Sequence, residues 1–105
     1  MKYRKKPVVV EAFQMTRENM DSNANWPNWI HDAWRKDRYE TGSLWADKDP
    51  SSKKQIYQCG TLEGVYYITE DDFLIQGVKG EIYPCKPDIF EMTYEKVRYG
   101  GAVGQ

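Results

Sequence analysis

Few residues in this chain have the type and spacing for covalent chemistry. His31 is the single histidine, and it adjoins Asp32 on a segment that reads as helix. Ser22, Ser43, Ser51 and Ser52 all fall in loops or at a loop edge, and no nucleophile-elbow pattern surrounds any of them. A zinc site needs three or four ligands, but His31, Cys59 and Cys85 stand alone, with no Cys-x-x-Cys or His-x-x-x-His pair. Glu70-Asp71-Asp72 is the one carboxylate cluster. It would support acid–base work only if two members converged in a cleft, and at the entry to a strand it reads more simply as a solvated turn. Gly77-Val78-Lys79-Gly80 is too short for a phosphate cradle and lies between strands, where such a loop would precede a helix. No catalytic residue, metal or cofactor is therefore assigned.

Recognition chemistry is better represented. In the run Lys79 to Asp88, alternation puts Glu81, Tyr83 and Cys85 on one face and Ile82 on the other. Tyr83 offers a ring for stacking, while Lys79 and Lys86 offer cations to a phosphate or carboxylate. These three residues form the expected ligand- or partner-binding site. The plain alternative is a hairpin with a solvated face.

The elements that must hold this site follow from periodicity. Pro7 to Gln14 reads as a strand, with Val8, Val10 and Ala12 on one face and Val9 and Phe13 on the other, both sides meeting something apolar. Thr16 to Asn25 is polar and without period, so it reads as a loop. Trp26, Trp29, Ile30, Ala33 and Trp34 make one stripe at helical spacing, with Asn25 as cap, Arg35, Lys36 and Arg38 at the C-terminal end, and Gly42 as stop. That stripe reads as core, with His31 facing away from it. Ser43 to Ala46 is a short strand and Asp47 to Lys54 a loop. Gln55 to Leu62 and Val65 to Thr69 flank a turn at Glu63-Gly64, and Asp72 to Gln76 and Glu81 to Cys85 flank Gly77 to Gly80. Pro87 to Met92 suits one helical turn with Ile89 and Phe90 inward, and Thr93 to Tyr99 a last strand. Together they predict a single α+β domain over residues 1–99, a twisted antiparallel sheet or small partly open barrel with one helix packed on it, and a flexible tail over 100–105.

Composition agrees with one folded domain. The 105 residues are 40% hydrophobic and 30% charged, and four Trp, eight Tyr and three Phe argue against disorder. Fifteen basic against sixteen acidic residues leave a net charge of −1, which makes no case for a nucleic-acid-binding surface spread over the whole domain. After the basic start, only Val8-Val9-Val10 is apolar before Glu11, too little for a signal peptide or membrane span. The expected location is the cytoplasm, with Cys59 and Cys85 as free thiols.

Lys5-Lys6-Pro7-Val8-Val9-Val10-Glu11-Ala12-Phe13-Gln14, Thr61-Leu62-Glu63-Gly64, the run from Gly77 to Glu91 and Thr93-Tyr94-Glu95 resemble small proteins encoded by tailed phages and prophages. Matching stretches cover about half the chain. That family commonly shows Pro-Gly-Asp where Thr69-Glu70-Asp71-Asp72 stands here. The resemblance implies a phage accessory protein in the bacterial host cytoplasm, of a kind that often acts by binding a host factor or a nucleotide-like signalling molecule to counter defence. The alternatives are a small enzyme using Glu70, Asp71 or Asp72 on a nucleotide or phosphorylated substrate, and an oligomeric assembly component. Whether the tryptophan stripe is core or a homo-oligomer interface stays open at this point.

Overall fold

A computed structural model describes residues 1–4 and 6–97. The first strand, β1, spans only Glu11–Gln14. Its antiparallel partner, Phe73–Gln76, places Gln76 opposite Glu11, and the chain then turns away at Gly77. The valines before Glu11 thus have no strand to pair with. Val8 and Val9 are 52% and 71% exposed, so the expectation that both faces of Pro7–Gln14 meet apolar cover does not hold there.

The stretch read as loop contains a helix, α1, Arg17–Asp21. Thr16 Oγ1 accepts from the Asn19 N–H at 3.2 Å, and Arg17 pairs with Asp21 one turn on at 3.2 Å. Its sequence shows no period because Met20 is the one residue it buries.

The tryptophan helix, α2, spans Asn28–Arg35. Pro27, not Asn25, stands at its N-cap, and the cap makes no side-chain hydrogen bond. Gly42 is not its stop: the helix ends when Lys36 becomes extended, and Gly42, with φ +86°, instead turns the chain into the next strand. Ile30 and Ala33 are buried and Trp29 is half-buried, but Trp34 is 46% exposed, so the stripe is core for most of its length and surface at its end. His31 does not face away from it, since its ring lies 5.6 Å from that of Trp26.

Then follow β2 (Leu44–Lys48), β3 (Gln55–Thr61), β4 (Gly64–Ile68), β5 (Phe73–Gln76), β6 (Ile82–Cys85) and α3 (Pro87–Thr93). Two antiparallel three-stranded sheets result, ordered β2-β3-β4 and β1-β5-β6. Neither closes into a barrel, and with three helices rather than one the architecture is α+β. Both expected hairpins are present. One core joins Met15, Met20, Trp26, Ile30, Ala33, Leu44, Tyr57, Cys59, Ile68, Leu74 and Ile82. Gly60 is required in β3, because a Cβ there would collide with the Glu40 carbonyl oxygen and approach Ser43 Oγ to 2.9 Å. On α3, Phe90 turns inward as expected, but Ile89 is largely exposed. Residues 94–97 are not a strand, and the remainder of that expected strand and the 100–105 tail lie outside the described residues. No described helix is long and apolar enough to cross a membrane.

Candidate functional site

The residues expected to bind meet different surroundings. Lys86, just after β6, turns its Nζ toward the Asp72 carboxylate, 3.1 Å from Oδ1, and donates to Thr69 Oγ1 at 3.0 Å. Asp72 is 2% exposed and also accepts from the Thr69 N–H at 2.9 Å and hydroxyl at 3.1 Å. Its oxygens are engaged in closing the turn between β4 and β5. Tyr83 is half-buried on β6, opposite Ile75, and its hydroxyl meets that of Tyr94 at 3.4 Å. Burial, together with the neighbouring Tyr94, raises its pKa. Lys79 is exposed at the β5–β6 turn, where its backbone N–H donates to Glu81 Oε1 at 2.9 Å. Lys79 and Lys86 thus flank opposite ends of β6. Tyr83 does border a shallow concavity of about 260 Å³ with Glu63, Tyr66 and Pro84.

A larger concavity, about 450 Å³, lies elsewhere, between α1, the start of α2's stripe and β3. Trp26, Trp34 and Tyr57 line it, with Asp21, Ser22, Asn23 and Gln55. The three rings meet edge to face, with centroids 5.9 Å apart for Trp26–Trp34, 5.6 Å for Trp26–Tyr57 and 6.0 Å for Trp34–Tyr57. Such pairs favour tilted geometry, because the positive ring edge meets the negative face of its neighbour. Polar contacts fix the rings. Trp26 Nε1 donates to the Asn19 carbonyl at 2.8 Å, and the Tyr57 hydroxyl donates to the Met20 carbonyl at 3.0 Å while accepting from Gln55 Nε2 at 2.9 Å. Desolvation, then the Asp21 carboxylate, raises the Tyr57 pKa, so its hydroxyl stays protonated.

Arg17 ties this wall together. Its Nη2 donates to the Gln55 carbonyl at 2.6 Å and pairs with Asp21, while Nη1 reaches Glu70 at 3.4 Å. The cleft therefore has a fixed aromatic floor and a rim carrying a carboxylate, an amide and a hydroxyl. It can stack a flat ring and hydrogen-bond its edge. Among the described residues, no group of three or more His, Cys, Asp or Glu side chains is placed to share a metal ion. The sequence pattern singles out Trp26 and Trp34 but not the concavity they line. Tyr57 and Gln55 belong to a strand whose face the pattern alone left unpaired with the helix, and Asp21 lay in a segment read as loop.

No protein-family model, curated protein or solved structure matches this chain.

Proposed function

We propose that this protein acts by binding rather than by catalysis, and that the cleft between α1, α2 and β3 takes a small molecule presenting a flat, nucleobase-like ring. The observation that carries this reading is Trp34, which stands 46% exposed over two buried rings in a concavity of 450 Å³. Ligand pockets of this kind run from roughly 300 to 1,000 Å³ and combine apolar walls with a few placed polar groups. The resemblance to small phage proteins supports the wider setting: a phage accessory protein that captures a host signalling molecule in the host cytoplasm and so blunts defence. A second reading keeps the second hairpin as a surface for a host protein, with Tyr83 as the stacking residue and Lys79 and Lys86 beside it. The concavity that Tyr83 shares with Tyr66 favours it.

Intrinsic tryptophan fluorescence tests the first reading directly. Titration with a panel of mononucleotides and cyclic dinucleotides should quench emission for at least one member, and Trp34→Ala should remove that response while Tyr83→Ala retains it. Undiminished affinity in the Trp34 variant refutes the cleft, and loss in the Tyr83 variant alone moves the site to the hairpin. Release of the ligand chemically unchanged supports binding, whereas its conversion supports an enzyme.

A further inference from the structure

β1 ends where its partner ends, not where its own sequence stops favouring a strand. Pro7 to Val10 lie unpaired before Glu11, and along Glu11–Phe13 the edge away from β5 is open, since β1 is an outer strand of its sheet, whereas the Gln14 carbonyl accepts from Asn19 Nδ2 at 2.9 Å. Folded proteins usually protect such edges with proline, charge or cover. The opposite edge of the same sheet follows that rule, with Pro84 inside β6. Past Pro7 the β1 edge presents three consecutive β-branched residues instead, Val8 and Val9 being more than half exposed.

We propose that Lys6–Val10 pairs antiparallel with the same segment of a second copy of this chain about a two-fold axis, joining two β1-β5-β6 sheets into one of six strands. Charge selects this occupant. Antiparallel self-pairing runs the basic start of one copy (Lys2, Arg4, Lys6) along the other copy's β1 toward the partner's Gln14. That end of β1 is fastened to an acidic turn: Gln14 Nε2 donates to the Asp71 carbonyl at 3.1 Å, and the Asp71 N–H donates to the Met15 carbonyl at 2.8 Å. Asp71 is exposed there, next to Glu70, which Arg17 Nη1 also reaches at 3.4 Å. Each copy thus offers a basic arm and an acidic turn, and the two-fold axis satisfies both at once. A continuous sheet requires paired residues to share a face, which is met when Val8 lies on the axis against the partner's Val8. Tyr3 then faces the partner's Phe13, and Pro7 the partner's Val9, both apolar pairs.

Sedimentation of the full chain across a dilution series should show a particle of twice 12.4 kDa that dissociates on dilution and on raising salt. Val8→Pro removes, at an exposed residue, an N–H that faces the partner copy, and should raise the dissociation constant about tenfold or more. Its circular dichroism and denaturation midpoint as a monomer should match the parent. Val8→Cys, in a Cys85→Ser background, should form a disulfide-linked dimer under mild oxidation, because facing strand positions bring Cβ atoms within bonding range. A monomer at every concentration overturns the proposal. So does a dimer indifferent to Val8→Pro, or one that Val8→Cys fails to link.

Discussion

Around Phe90 the aromatic rings are used up on one another. Phe73 and Phe90 stack at 3.8 Å and 8°, Tyr94 lies 5.0 Å from Phe90, and the Tyr94 hydroxyl meets that of Tyr83. Around Trp34 the rings also touch, but edge to face, and Trp34 keeps half its surface open beside a concavity. The polar groups divide in the same way. Beside the hairpin, Lys86 and Asp72 neutralise each other. At the cleft, the Asp21 side chain stays 60% exposed despite its bond to Arg17. Residue type does not distinguish a recognition surface from internal packing; what distinguishes them is which atoms still lack partners once the fold has formed.

The sharpest break in that comparison comes from the ring beneath the cleft. Trp26 is buried, contacts His31, Trp34 and Tyr57, and anchors α1 through Asn19. Trp26→Ala should cost about 3–5 kcal/mol. That is a large part of the roughly 5–15 kcal/mol of a typical domain. Urea denaturation measures it, and a midpoint close to the parent's would remove Trp26 from the core.

The hairpin side has a smaller counterpart. Asp72→Ala deletes the acceptor for the Thr69 N–H and hydroxyl and leaves Lys86 unpaired. Lys86 is mostly exposed, so its ion pair contributes little and the turn hydrogen bonds dominate. A loss of about 2 kcal/mol is expected in the same assay. Lys86→Met should cost less than Asp72→Ala. The reverse order would mean that the ion pair, rather than the turn, is what matters.

Alkaline pH separates the regions by another route. Burial pushes the Cys59 thiol from its usual value near 9.0 up to about 12. A group that holds its proton more tightly when folded leaves stability undiminished below the unfolded value and erodes it as pH climbs toward the folded one. Stability should therefore fall between pH 9.0 and about 12, at up to ~1.4 kcal/mol per pH unit from this group. Cys59→Ala should flatten that slope. Cys85, only partly buried, should alkylate in the native protein well before Cys59 does.

Much of this fold is legible from local pattern. Both hairpins are, because Glu63-Gly64 and Gly77 to Gly80 carry turn chemistry between alternating runs. The α2 stripe is as well, because five apolar positions, Trp26, Trp29, Ile30, Ala33 and Trp34, recur at helical spacing. α1 is not, since a five-residue helix burying one methionine leaves no period to detect. β1's true length is set by where β5 turns, a long-range fact absent from Pro7–Gln14 itself. For the same reason the cleft is not visible in the sequence pattern. Tyr83 and Lys86 are close in sequence and conspicuous, whereas the cleft draws on Asp21, Trp26, Trp34, Gln55 and Tyr57, which only the packing of α1 and α2 against β3 brings together.

The smallest expected stability change is also the most discriminating. Trp34 ends the α2 stripe half in solvent, so Trp34→Ala forfeits the contacts of one exposed ring rather than opening a sealed cavity. The cost should be about 1 kcal/mol, well below that of Trp26→Ala, although both residues lie on the same stripe. If the cleft is a stacking site, the same variant should lose ligand affinity by a factor of about thirty, the effect of removing an aromatic anchor worth about 2 kcal/mol. Measuring denaturation midpoint and fluorescence titration on one sample separates the two roles. A large stability loss would make Trp34 core. A small one with unchanged binding would make it surface without function, and only a small loss joined to a large affinity change fits a ring held open for a ligand.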